Sequence, residues 1–125
     1  MANPNIVNVA AIYGENSSVS LTTTSATSIV SNAASSGKVY KINTIMVANV
    51  DGTNAADITI NKYSAAALGG TAYAIASTIS VPADATLIVV DKTTAIYLKV
   101  NESIGAIAGT ASDLVVTASW EEINA

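Results

Sequence analysis

The sequence has no cysteine, no histidine and no phenylalanine, and it holds a single tryptophan and two prolines. Without cysteine or histidine there is no disulfide framework, zinc finger or iron–sulfur ligation, and no Ser-His-Asp or Cys-His pair. Positive charge is also scarce. Five lysines, scattered at positions 38, 41, 62, 92 and 99, are the only basic side chains. They form no stripe that could grip a phosphate backbone or an anionic lipid surface, so neither nucleic acid nor membrane is an expected partner. No run of about 18 apolar residues is present, which excludes a membrane-spanning helix. Met1-Ala2-Asn3-Pro4-Asn5 lacks a basic n-region followed by an apolar stretch, so no classical secretion signal is expected.

What is present is apolar and small. Half of the 125 residues are hydrophobic, only 11% are charged, and the formal net charge is −4. That balance belongs to a folded chain, not a disordered one, and the length suits one domain. The apolar half is mostly Ala, Val and Ile, mixed with Ser and Thr. Such side chains carry little apolar surface, which gives a thin core and favours stability shared with a neighbouring subunit.

The periodicity is that of strands. Ile58, Ile60 and Lys62 alternate with Thr59, Asn61 and Tyr63, and Tyr73, Ile75, Ser77, Ile79 and Val81 alternate with Ala and polar neighbours. The same period of two runs through Thr94–Val100 and Leu114–Trp120. Punctuation agrees. Ser35-Ser36-Gly37 precedes the long run to Val50, and Asp51-Gly52-Thr53-Asn54 after it reads as a hairpin signal. Leu68-Gly69-Gly70 and Val81-Pro82-Ala83-Asp84 are further turns, and residues 104–112, with Gly105 and Gly109, read as a small-residue loop. Ahead of Gly37, a strand is expected over Ile6–Tyr13, with two shorter ones over Ser17–Leu21 and Thr27–Ser31. Ala26–Ala34 could also line one face of a short helix, but the surrounding Thr, Ser and Val favour strands. The sum is an all-β protein of about eight strands, an antiparallel β-sandwich of jelly-roll or immunoglobulin-like type. Residues 37–125 form the sandwich body, and residues 1–36 form an N-terminal strand or arm region that packs on it or extends from it, within one domain.

Chemistry-bearing residues are few. Glu121 and Glu122 are adjacent, so on a strand they face opposite ways and cannot cooperate. Asp51, Asp57, Asp84, Asp91 and Asp113 stand at or beside turn signals, where Asp bonds nearby amides. The Asp51–Asn54 loop lacks the acidic density of a calcium site, and Gly69-Gly70 lacks the Lys-Ser/Thr of a phosphate loop. No catalytic group, cofactor or metal ligand is expected. Asn16-Ser17-Ser18 and Asn101-Glu102-Ser103 match the glycosylation sequon by chance. Among the aromatics, Tyr40, Tyr73 and Trp120 are expected to fill the core ends, while Tyr63 and Tyr97 alternate onto the polar side and offer a contact surface. With Ile6, Val7, Val9, Ile12 and Tyr13 of the N-terminal segment, they make up the candidate interaction surface.

From Gly37 onward, Val47-Ala48-Asn49 before a Gly-containing turn, Val81-Pro82-Ala83-Asp84, Ile96–Glu102 and the ending Trp120-Glu121-Glu122-Ile123 resemble small β-sandwich virion proteins of tailed bacteriophages. The resemblance spans about residues 37–123 and consists of strand and turn chemistry. It implies a non-enzymatic structural protein of the particle, a capsid decoration or cement protein that binds the major capsid protein and copies of itself as a homo-oligomer. Its place would be the outer surface of the capsid, after synthesis in the host cytoplasm. The alternative is a tail- or fibre-associated module that recognises a host-surface glycan or receptor.

Overall fold

The computed structural model describes residues 3–124. Nine strands follow in order: β1 (Ala11–Ser20), β2 (Thr27–Asn32), β3 (Lys38–Asn49), β4 (Ala56–Ala65), β5 (Gly69–Val81), β6 (Thr86–Val90), β7 (Ile96–Leu98), β8 (Glu102–Ala108) and β9 (Leu114–Asn124). A single 3-10 turn, Lys92–Thr94, separates β6 from β7, and no α-helix occurs among the described residues. The strands form two antiparallel sheets, one ordered β1-β9-β3-β6 with β7 also on β3, the other β2-β8-β4-β5. The all-β sandwich expected from the periodicity is present.

Its connectivity selects the jelly roll. The pairs β1–β9, β2–β8, β3 with β6 and β7, and β4–β5 nest inside one another. Ala11 faces Asn124, Ile45 faces Val90 and Ala65 faces Gly69, so the ladders share one centre at the β4–β5 turn. The chain is one long antiparallel ribbon, rolled so that β3 also meets β9 and β4 also meets β8. Ile42, Ile45, Val47, Ile58, Ile60, Leu98, Ile104, Leu114 and Val116 pack between the sheets. Ala76, Ala106, Ala108 and Ala118 fill the narrower places in that layer.

Two buried asparagines tie the sheets together at opposite ends. Asn32, fully buried on β2, donates from Nδ2 to the carbonyls of Lys38 (2.8 Å) and Leu98 (3.2 Å) in the other sheet, and its Oδ1 accepts from Ser36 Oγ. Asn49, at the end of β3, donates to the carbonyls of Asn54 (3.0 Å) and Val81 (2.9 Å) and accepts from the Asp51 amide. Each satisfies carbonyls that leave a ladder where the chain changes sheet.

Several expectations need correction. The Asp51-Gly52 signal is not a hairpin: β3 and β4 lie in different sheets, and Asn49 holds the crossover. Residues 104–112 are mostly strand, because β8 runs through the middle of its sheet and has no room for larger side chains. A Cβ on Gly105 would lie 2.6 Å from Leu68 Cδ2, 3.1 Å from Tyr63 and 3.2 Å from the Thr27 carbonyl. The first strand begins at Ala11, not Ile6, and it merges with the expected strand over Ser17–Leu21. Asn5 bends the preceding segment, since its side chain accepts from the Val7 amide and its carbonyl from the Asn8 amide. Thr94 belongs to the 3-10 turn, capped by Asp91, and not to a strand.

Candidate interaction surface

Four of the nine acidic side chains are occupied with structure. Asp51 Oδ1 accepts from the Thr53 and Asn54 amides, and Asp91 Oδ1 accepts from the amide and hydroxyl of Thr93. These bonds favour the ionised form and hold both carboxyls below the ordinary Asp value. Glu102, nearly buried, pairs with Lys62 at 2.9 Å and accepts from the Lys99 amide at 2.9 Å. Glu122 pairs with Lys38, whose ammonium is held above its usual value by that hydrogen bond and charge. Among the described residues no three His, Cys, Asp or Glu side chains gather as metal ligands.

The candidate surface residues fall into three places. Residues 39 and 123 of β3 and β9 face outward, yet Val39 and Ile123 are nearly buried because the segment ahead of β1 lies against that outer face. Asn3, Pro4 and Ile6 form with Val39, Tyr97 and Lys99 an open, mostly apolar groove of about 260 Å³. Asn3 Oδ1 accepts from the Val100 amide and anchors the segment there. Ile12 stands beside Ile123 on the same face, Val9 is half-buried, and Val7 is 91% exposed on its turn. Ile6, Ile12 and Tyr97 thus share one face, whereas Tyr13 points to the opposite side of β1.

Tyr63 is elsewhere and offers no contact surface. Its alternation places it on the outer side of the second sheet, as expected, but it is only 8% exposed because the β4–β5 tip folds back over it. The amides of Ala66, Ala67 and Leu68 donate to Asn101 Oδ1, Ser31 Oγ and Ser103 Oγ, at 3.0, 3.0 and 2.9 Å. These bonds hold Ala67 and Leu68 at positive φ, a conformation that side chains resist. Leu68 then lies over Gly105 beside Tyr63.

A second surface involves residues that the sequence did not single out together. Alternation sends Tyr13, Glu15, Ser17 and Val19 of β1 toward the inner face of the sheet. Ser17 and Val19 are partly covered, but Tyr13 is 54% exposed and Glu15 is exposed. The facing strand β2 has six residues against ten in β1, and Tyr13 and Glu15 are left uncovered. Across the ladder Tyr13 sits beside Glu122 and then Tyr40, and Glu15 sits beside Trp120. The Tyr40 and Trp120 rings stack, 6.1 Å between centroids and 25° between planes. Burial, reinforced by the Glu122 charge, holds the Tyr40 hydroxyl above its usual pKa. Tyr40 and Trp120 do pack at the core end, as expected, whereas Tyr73 is exposed, with Lys62 Nζ 6.0 Å from its ring centre. Only the register, which composition cannot supply, brings Tyr13, Glu15, Tyr40, Trp120 and Glu122 into one patch.

The sheet edges complete the surface. Among the described residues β1 pairs with β9 alone, through ten consecutive residues without a bulge. Leu21, which continues that register, donates to the Leu114 carbonyl. Odd-numbered residues of β1 therefore bond to β9, and the N–H and C=O groups of residues 12, 14, 16, 18 and 20 point to the free edge. β5 is also an edge, thirteen residues without a charge or a proline, but three register shifts interrupt its ladder with β4.

No protein-family model matches the chain, and no curated protein sequence matches it. Its fold is similar to that of a chain in Bacillus endospore appendages, a family of disulfide-linked pili. That likeness has a TM-score of 0.53 at 16% identity and covers 90% of this chain and 88% of that one. A chain of infectious bursal disease virus, Gx strain, gives a TM-score of 0.48 at 13% identity, covering 91% of this chain and 33% of that one.

Proposed function

We propose that this chain is a non-enzymatic structural subunit of an assembled particle, and specifically a capsid decoration protein of a tailed bacteriophage. The observation that carries this reading is the bare β1 edge. Proteins that live as monomers blunt their edges with Lys, Pro, bulges or short strands. β1 has ten residues, one charge (Glu15), no proline and an unbroken register. A subunit whose edge is paired or covered in its assembly has no need of such protection. The thin core, the engagement of Asp51, Asp91, Glu102 and Glu122 in turns and ion pairs, and the resemblance of residues 37–123 to virion proteins support the same reading. In it, copies of the chain associate with one another and with the major capsid protein, on the capsid surface.

A filament subunit is the second reading, favoured by the likeness to a pilus chain over nine-tenths of this one. Disulfide linkage cannot carry over, because the sequence has no cysteine. Any filament would have to be joined by strand pairing and side-chain packing. Imaging of purified particles labelled with antibody against this chain separates the readings. Hundreds of copies over phage heads are expected. Labelling confined to tails or fibres points to a receptor-binding module, labelling along filaments to the second reading, and either result overturns the decoration assignment.

A further inference from the structure

We propose that the open end of the inner face of the first sheet, where exposed Tyr13 and Glu15 adjoin half-buried Tyr40, Trp120 and Glu122, is a binding site for a neutral saccharide. Its chemistry alternates flat rings with acceptors. Tyr13, Glu122 and Tyr40 lie side by side on β1, β9 and β3, and Glu15 and Trp120 form the next row. Three strands span about 10 Å at the usual spacing, a width that a short oligosaccharide can bridge. Sugar rings present apolar C–H faces, which suit aromatic rings, and hydroxyl donors around their rims, which suit carboxylates. Tyr and Trp offer such area with few rotatable bonds, so little freedom is lost on binding.

The same residues disfavour other occupants. No aliphatic side chain belongs to the patch, which leaves little for an apolar protein surface to bury. Glu15 and Glu122 against Lys38 repel phosphate and other anions. Because Lys38 neutralises Glu122, Glu15 is the only charge in the patch without an ion-pair partner among the described residues, too little to hold a polycation. A few placed polar groups on an aromatic floor are what orient a small uncharged ligand. Pairing of the β1 edge with another strand would leave this face open, because ladder bonds lie in the plane of the sheet and these side chains stand out of it. The site is therefore compatible with the assembly proposed above and does not depend on it.

Trp120 is the only tryptophan, so its fluorescence reports on this end of the sheet. Titration of the full chain with chitohexaose and with cellohexaose is expected to give a saturable emission change with at least one of them. Tyr13→Ala and Glu15→Gln should each weaken that binding about tenfold or more, with the thermal midpoint unchanged. Tyr97→Ala, on the opposite face, should leave it intact. Absence of any saturable change with both sugars, or binding that survives Tyr13→Ala, overturns the proposal. A stronger response to an anionic polysaccharide such as polygalacturonate than to the neutral sugars also overturns it.

Discussion

Asn32 carries a share of the fold out of proportion to its size. Its side chain satisfies carbonyls of the facing sheet, at the first residue of β3 and the last of β7. Asn32→Ala leaves both carbonyls unpaired in a buried site, and a loss of about 2–4 kcal/mol is expected from the penalty for orphaned buried groups. Urea denaturation measures it; a loss below about 0.5 kcal/mol, the size of an ordinary surface change, would refute the role. Ionisable side chains act at the two ends of the pH range. Asp51 and Asp91 are depressed in the folded state, so their contribution is present above the unfolded Asp value and is lost as pH falls through the folded values. Lys38 and Tyr40 are raised, Lys38 by its bond to Glu122 and Tyr40 by burial. Their contribution is complete below the unfolded values and is lost as pH rises through the folded ones. With no histidine, no side chain of ordinary pKa titrates between about 5 and 9. The thermal midpoint should therefore vary little across that window and fall on both sides. Asp91→Asn should shallow the acid limb, and an unaltered limb would exclude its part in it.

At the scale of elements, β8 shows what a sequence can hide. Gly105, Ala106 and Ala108 read as a loop by composition, yet they are a central strand beneath the returning hairpin tip. Gly105→Ala forces Leu68 away while Tyr63 and the Thr27 carbonyl also crowd the added methyl. Overpacking of this kind costs about 1–3 kcal/mol. The same change should loosen the tip, and hydrogen exchange at the Ala66, Ala67 and Leu68 amides would report it. Unchanged exchange and stability would show that the tip does not press on β8. What was legible follows the same physics. Period-two alternation foretold strands over 58–63, 72–81 and 114–121, which lie within β4, β5 and β9, and Asp at turn positions foretold the bonds of Asp51 and Asp91. Asp51-Gly52 misled because the residues that permit a tight hairpin also permit a crossover between sheets. Tyr63 misled because alternation fixes the side of a sheet, not what lies over it. The patch around Tyr13 and Trp120 depends on register between residues more than a hundred positions apart, which no local pattern records.

At the scale of the whole molecule, a ribbon rolled about its own tip leaves both chain ends of the described structure on one sheet, with β1 outermost. Every bond that holds β1 comes from β9, and its other side presents five residues' worth of donors and acceptors. If a second chain pairs there, folding and association are linked, and the thermal midpoint should rise with protein concentration. Asn16 tests the linkage: it is exposed and its amide points to the free edge. Asn16→Pro removes that donor without breaking a bond to β9, and Asn16→Lys keeps the backbone intact while adding the charge that edges use to refuse partners. Both variants should match the parent at low concentration and lose its concentration dependence, with smaller assemblies by light scattering. A parent midpoint independent of concentration over a hundredfold range would remove β1 self-pairing. A dependence that persists in both variants would move the assembly contact to β5 or to the groove beside Ile6.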